Sequence, residues 1–142
     1  MTKLHLDWAG ASKGKGIYQR ESDHEALNIA IPEESGGSGD GFAPRDLLAS
    51  SAGACLSLTL VSLMDVRKLP VANFSMDTEV TKEDGKYKIT HYPKVVLEKS
   101  ATEKDHTGVE RAIASADQRC SIGNLLKEAG VDLTIESEIT TE

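Results

Sequence analysis

The stretch PRDLLASSAGACLSLTLVSLM, residues 44–64, decides the fold of this chain. Pro44 suits the first turn of a helix, where its missing N–H is not needed. Asp46 places a negative charge near the positive end of the helix dipole. No charged residue occurs from Leu47 to Met64. We therefore predict a helix that is apolar on nearly every face, is buried on most of them and ends before Pro70.

Strand-like segments stand on both sides of this helix. Alternating apolar and polar residues predict strands before the helix at 3–8, 16–21 and 26–31. The same pattern predicts strands after it at 74–81 and 88–98, joined by a hairpin turn at residues 83–86. Helices are predicted at 107–117 and 121–129, with Ser121 as N-cap and Gly130 as the C-terminal stop, before a closing strand at 133–139. This order predicts one α+β domain over residues 1–142, with antiparallel sheets around a central buried helix that carries Cys55.

Composition and length exclude several classes of function. The net charge of −7 and the 4% of aromatic residues argue against binding to nucleic acid. The uncharged run is long enough to cross a bilayer, but it is interrupted by serine and glycine, so we interpret it as a soluble helix rather than a membrane span. The N-terminus shows no secretory signal pattern, and a cytoplasmic location is expected. The four histidines are scattered and none pairs with a cysteine at zinc-site spacing, so no metal site is predicted.

The chain has two cysteines, Cys55 and Cys120. In a reducing compartment a permanent disulfide is unusual, and a cysteine pair more often does chemistry. Cys120 lies at or just before a helix N-terminus, where free N–H groups and the dipole favour a thiolate; a small buried hydrophobe is the alternative. Cys55 lies inside a helix among leucine and alanine, where burial raises a thiol pKa. Position alone leaves the reactive thiol and the buried hydrophobe equally open for Cys120. It favours an inert core residue for Cys55, although the small residues at 51–54 would let another chain segment or a ligand approach closely.

The segments around both cysteines resemble the OsmC/Ohr family, which holds the osmotically inducible protein C and the organic hydroperoxide resistance proteins. PRDLLASSAGAC at 44–55 resembles the family helix Pro-x-Glu-Leu-Leu-x-Ala-(x)-Cys, and CSIGN at 120–124 resembles its second signature, Cys-Pro-(Val/Tyr/Ile)-Ser-(Asn/Lys). Residues 8–16 also match its opening hairpin. The resemblance covers nearly the whole chain and implies an intertwined α+β homodimer, with a site at each end of the interface. A dimer also agrees with the pattern, since so apolar a helix is hard to cover within one short chain.

The resemblance further implies a thiol-dependent peroxidase that reduces organic hydroperoxides, with hydrogen peroxide as a further substrate. Cys55 would form a sulfenic acid, and Cys120 would condense with it to a disulfide. An external thiol reductant, such as a protein-bound lipoyl dithiol, would restore both thiols, and no cofactor is implied. This order of roles is the reverse of the one that position alone suggests. The alternative function is a stress-response protein that binds small molecules or senses redox state with little peroxidase activity.

The chain departs from the family pattern at three places. Family peroxidases hold an arginine near the reactive thiolate and pair it with a glutamate near the start of the cysteine helix, a stretch that Arg45 and Asp46 occupy here. One subgroup has its arginine in the opening hairpin, where this chain has serine and lysine. The second signature continues with Ser121 in place of proline. The candidate activating cations are the basic residues Arg20, Arg45, Lys13 and Lys15, and the candidate residues lining an apolar pocket are Phe42, Leu47, Leu48 and Leu56.

Overall fold

The computed structural model describes all residues, Met1–Glu142, and has three α-helices and two β-sheets. The α+β class predicted from the sequence is confirmed. The chain groups into two compact units, Met1–Leu48 and Ala49–Glu142.

The first unit is a three-stranded antiparallel sheet in the order β1 (Leu4–Ala9), β2 (Lys15–Arg20) and β3 (Ala26–Ile29), followed by a short 3₁₀ turn at Glu33–Ser35. All three predicted strands are present, with β3 two residues shorter than expected. Cross-strand register gathers apolar side chains on one face of the sheet, since Leu6 lies opposite Tyr18 and Tyr18 lies opposite Leu27. These apolar side chains are all exposed: Leu4, Leu6, Trp8, Tyr18 and Leu27.

The second unit is built on a long hairpin. Strands β4 (Val71–Glu83) and β5 (Lys86–Leu97) pair antiparallel, and the turn between them holds Asp84 and Gly85 at positive φ, as the hairpin signal predicts. The predicted last strand is interrupted, so that β6 (Asp132–Ile135) and β7 (Glu138–Thr141) are separate. Both pair parallel with β5. The expectation of antiparallel sheets is therefore wrong for this sheet: β4 takes one edge of β5, and the chain returns through the two later helices to its other edge, a crossover that suits parallel pairing.

Helix α1 (Pro44–Val66) and the last helix begin where predicted, whereas the middle helix begins earlier. Helix α2 (Glu103–Arg119) begins four residues earlier than predicted because Thr102 and Asp105 form a capping box, in which the Asp105 carboxylate accepts the Thr102 N–H at 2.9 Å. Helix α3 (Ser121–Glu128) has Cys120 as its N-cap, so the assignment of that role to Ser121 is wrong. The chain leaves α3 through Gly130 at φ 95°, as predicted.

The core lies between one face of α1, strand β5 and α2. Its members are Leu56, Leu60, Met64, Val95, Leu97, Val109, Ala112, Ile113, Ala116 and Cys120. On the opposite face of α1, Leu58 is 72% exposed and Val61 is 47% exposed. The prediction that α1 is buried on most faces is therefore wrong for the single chain, because the chain supplies packing partners for one face only. By length and hydropathy α1 also meets the criterion for a membrane span, which core helices of soluble proteins meet as well.

Candidate active site

The N-terminus of α3 brings the two cysteines together. Cys120 is the N-cap of this helix and is 3% exposed, and Cys55 comes from the middle of α1 and is half-buried. Both thiols are free. The hydroxyl oxygen of Ser121, the first residue of α3, lies 3.9 Å from the Cys55 sulfur, and the Cys120 sulfur lies 4.0 Å from the carbonyl oxygen of Ala52 on the helix that carries Cys55. The structure thus joins the two residues that the family resemblance paired.

Hydrogen-bond donors at the start of α3 lower the pKa of the Cys55 thiol. The largest contribution comes from the backbone N–H of Ile122; the Cys120 thiol, the Ser121 hydroxyl and the Ser121 N–H add to it. Burial acts in the opposite direction but is outweighed. The expectation that its apolar helix would raise the pKa of Cys55 is therefore wrong. A lowered pKa means more thiolate near neutral pH, and the thiolate is the nucleophilic form.

The pKa of the Cys120 thiol is raised. Burial is the main cause, because desolvation disfavours the charged form, and the hydrogen bond to Cys55 adds to it. The Gly123 N–H donates to the Cys120 sulfur over 3.3 Å and acts the other way, as expected for a residue at a helix N-terminus. Position along the chain predicted that N–H groups at a helix start would act on this sulfur, and the alternative of a small buried hydrophobe describes its 3% exposure.

The charged residues predicted for the site lie in the first unit, each with a local partner. Arg20 donates from Nε to Asp23 over 2.8 Å, and a guanidinium nitrogen of Arg45 lies 3.7 Å from the Glu34 carboxylate. Asp46 accepts the Ala43 N–H over 2.8 Å, which caps the start of α1. The two lysines are also engaged, Lys13 with the Gly37 carbonyl and Lys15 with Asp40. Whether any of these residues assists Cys55 stays a prediction.

The apolar residues predicted to line a pocket separate into two groups. Leu47 borders a cleft of about 410 Å³ within the first unit, together with Leu4, Tyr18, Arg20 and Leu27. Leu56 is 2% exposed and belongs to the core, so its assignment to a pocket is wrong. Its position on the same face of α1 as Leu60 and Met64 explains the burial.

His91 is a buried polar residue that the sequence analysis did not single out. Its ring is 1% exposed; Nδ1 lies 2.8 Å from the Thr78 hydroxyl, and Nε2 has no hydrogen-bond partner. Burial lowers the pKa of His91, and the carboxylate of Asp117 acts weakly the other way. The ring lies beneath α1 at Gly53, where a Cβ would come within 3.6 Å of it. The sequence does indicate that His91 is buried, because it falls between Ile89 and Pro93 in the alternation of a strand whose inward positions are apolar.

Comparison with known proteins places this α+β chain and its cysteine pair in a family. The sequence profile of the OsmC-like proteins matches residues 37–136, so the chain belongs to the OsmC-like family. Among its relatives, the uncharacterized protein YmaD of Bacillus subtilis strain 168 is 30% identical over an alignment of 141 positions, which covers 96% of this chain and 92% of that protein.

Solved structures show the same fold at low sequence identity. An OsmC-like protein of unknown function from Vibrio cholerae superposes with a TM-score of 0.77 at 12% identity, over 96% of this chain and 98% of that one. An organic hydroperoxide resistance protein OsmC from Legionella pneumophila, described as a predicted redox protein, gives 0.63 at 21% identity, over 99% and 96%. The name of the Legionella protein links that protein to resistance against organic hydroperoxides.

Proposed function

We propose that this chain is a thiol-dependent peroxidase that reduces organic hydroperoxides through Cys55 and Cys120. The observation that carries the proposal is the pair of free thiols at one helix N-terminus, with the pKa of Cys55 lowered and that of Cys120 raised. A peroxidase of this type needs one sulfur as a nucleophilic thiolate and a neighbouring thiol to resolve the oxidised product. The names of family members support the choice of organic hydroperoxides as substrates.

The reaction balances without a cofactor. The Cys55 thiolate attacks the terminal oxygen of the hydroperoxide; the O–O bond breaks, Cys55 becomes a sulfenic acid, and the alkoxide leaves and takes a proton from water. The Cys120 thiol then attacks the sulfenic sulfur, forming the disulfide and releasing water. An external dithiol such as a lipoyl group reduces the disulfide by exchange and is itself oxidised to its disulfide. The net change is hydroperoxide plus dithiol to alcohol, water and disulfide.

We also propose that the active form is a homodimer. Its support is the apolar surface that the single chain leaves exposed, namely Leu58 and Val61 on α1 and the apolar face of the β1–β3 sheet. Monomeric soluble proteins rarely expose large contiguous apolar patches. Light scattering at micromolar concentration should give twice the chain mass of 15.2 kDa. The mass of a single chain would contradict the proposal.

Stopped-flow oxidation by tert-butyl hydroperoxide tests the peroxidase function. We expect the wild-type protein to be oxidised at least about 100-fold faster than free cysteine, because the lowered pKa supplies thiolate and the site can orient the peroxide. Cys55→Ser should abolish this reaction. Cys120→Ser should keep the first oxidation but lose turnover with dihydrolipoamide, because its sulfenic acid cannot be resolved. The same assay on Arg20→Gln and Arg45→Gln decides whether either arginine assists.

Other outcomes of this assay separate the alternatives. Oxidation of wild-type protein no faster than that of free cysteine contradicts the peroxidase and favours a binding protein. Fast oxidation without turnover on added dithiol contradicts the catalytic cycle and favours a redox sensor.

A further inference from the structure

We propose that Ser121 is a thiolate-stabilising residue for Cys55. Its hydroxyl and its backbone N–H, together with the N–H of Ile122, stabilise the thiolate in place of a neighbouring cation. Its importance for catalysis rests on the proposed function, but its test measures only the pKa of the Cys55 thiol.

The geometry follows from the donors at the start of α3. The first N–H groups of any helix lack partners inside the helix. Here the Asn124 N–H bonds to the Cys120 carbonyl at 2.9 Å and the Gly123 N–H goes to the Cys120 sulfur at 3.3 Å. The N–H groups of Ser121 and Ile122 take no part in these two bonds, and both lower the pKa of the Cys55 thiol. The Ser121 hydroxyl oxygen lies 3.9 Å from the Cys55 sulfur, and against a thiolate, which can only accept, this hydroxyl is the donor.

Ser121 stands where the family signature has proline, and the difference has a chemical consequence. Proline has no N–H and no hydroxyl, so a Cys-Pro sequence could offer Cys55 only the Ile122 N–H from this turn. The serine adds a hydroxyl that lies 3.9 Å from the sulfur and a backbone N–H at the first position of α3. Hydrogen bonding to the charged form of a group favours that form, so the added donors stabilise the thiolate. Every group that lowers the pKa of Cys55 is such a donor, and none is a cation.

The backbone conformation around residue 121 is compatible with proline. Ser121 is the first residue of α3, a position where proline is favoured in helices. Cys120 has φ −70° and ψ 100°, an extended conformation that the residue before a proline prefers. We therefore expect Ser121→Pro to fold, and the variant removes both donors of residue 121 without displacing α3.

The experiment measures the pH dependence of iodoacetamide alkylation at each cysteine by peptide mass spectrometry, with no peroxide present. Ser121→Ala, which loses the hydroxyl, should raise the pKa of Cys55 by about 0.5, and Ser121→Pro should raise it by about 1 or more, equal to about tenfold less thiolate below the pKa. Ser121→Thr keeps the hydroxyl and should match the wild type. Ser137→Ala, an exposed serine between β6 and β7, is the matched control and should have no effect.

Circular dichroism and thermal unfolding verify that each variant is folded. An unchanged Cys55 profile in folded Ser121→Pro overturns the proposal. If Ser121→Thr behaves like Ser121→Ala, the role of the hydroxyl is overturned. Because alkylation needs no hydroperoxide, these results do not depend on whether the protein turns over peroxide, and a failed peroxidase assay leaves them intact.

Discussion

Cys55 and Cys120 share the same helix N-terminus but differ in how they reach it. Cys120 is the N-cap residue, and its sulfur points into the core, where it is 3% exposed. Cys55 comes from α1, and its half-buried sulfur lies 3.9 Å from the hydroxyl oxygen of Ser121, the first residue of α3. Both sulfurs receive N–H donors, and only at Cys55 do the donors outweigh desolvation.

This comparison indicates that a helix N-terminus stabilises negative charge on a group that lies in front of its free N–H groups. The residue that begins the helix gains less when its own side chain turns into an apolar core. For this pair the outcome is a division of roles, with one sulfur favoured as thiolate and the other kept as thiol. A protonated Cys120 does not repel the Cys55 thiolate before oxidation. Once Cys55 is a sulfenic acid its negative charge is gone, and Cys120 gives up its proton as its sulfur attacks.

The largest expected effect comes from loosening α3 itself. Leu126 is 8% exposed on the inner face of α3, and its neighbour Leu125 is 60% exposed. Leu126→Ala should cost about 2–4 kcal/mol of unfolding free energy, as buried leucine truncations do. It should also raise the pKa of Cys55, because the donors of α3 are held less firmly. Leu125→Ala is the matched control and should change stability by less than about 0.5 kcal/mol.

Urea denaturation and pH-dependent alkylation together measure the response. If Leu126→Ala is destabilised while its Cys55 profile stays that of the wild type, the lowered pKa does not come from α3, and the contrast between the two cysteines needs another cause.

A smaller effect is expected from His91, the buried polar residue beneath α1, on the pH dependence of the unfolding free energy. Burial lowers the pKa of His91 in the folded chain, so the unfolded chain takes up a proton first as pH falls below about 6.5. The wild type should therefore lose stability as pH falls from about 6.5 to 5.5, by at most about 1.4 kcal/mol for one proton. His91→Gln should remove most of that slope and leave the pKa of Cys55 unchanged.

Urea midpoints at several pH values measure the slope. An equal slope in His91→Gln would assign the pH dependence to other groups, and a shifted Cys55 profile would show that His91 shares control of the thiol.

Most helix and turn positions could be predicted from the sequence, but the strand pairing and the pKa shifts of the two thiols could not. The α1 start at Pro44, the hairpin turn at Asp84-Gly85 and the stop at Gly130 follow from local backbone preferences, and all were predicted. The parallel pairing of β6 and β7 with β5 was missed, because it depends on which strand edge is free after the chain has folded.

The two thiol pKa shifts were missed for a related reason. Position along the chain showed that Cys120 begins a helix, but not that its sulfur is buried. Nor could it show that the donors of α3 point at a residue on another helix. The family resemblance supplied the order of roles, and the contacts of Ser121 and Ile122 supply a physical basis for it.

The most direct test is the order in which the two cysteines ionise in the unmodified protein. Alkylation by iodoacetamide across pH, read separately on the two cysteine-containing peptides, gives both profiles in one sample. The account predicts that Cys55 reacts at a pH below the pKa of free cysteine, about 8.5, and that Cys120 reacts only above it. If Cys120 ionises first, or the two profiles coincide, the assignment of thiolate to Cys55 and thiol to Cys120 is contradicted.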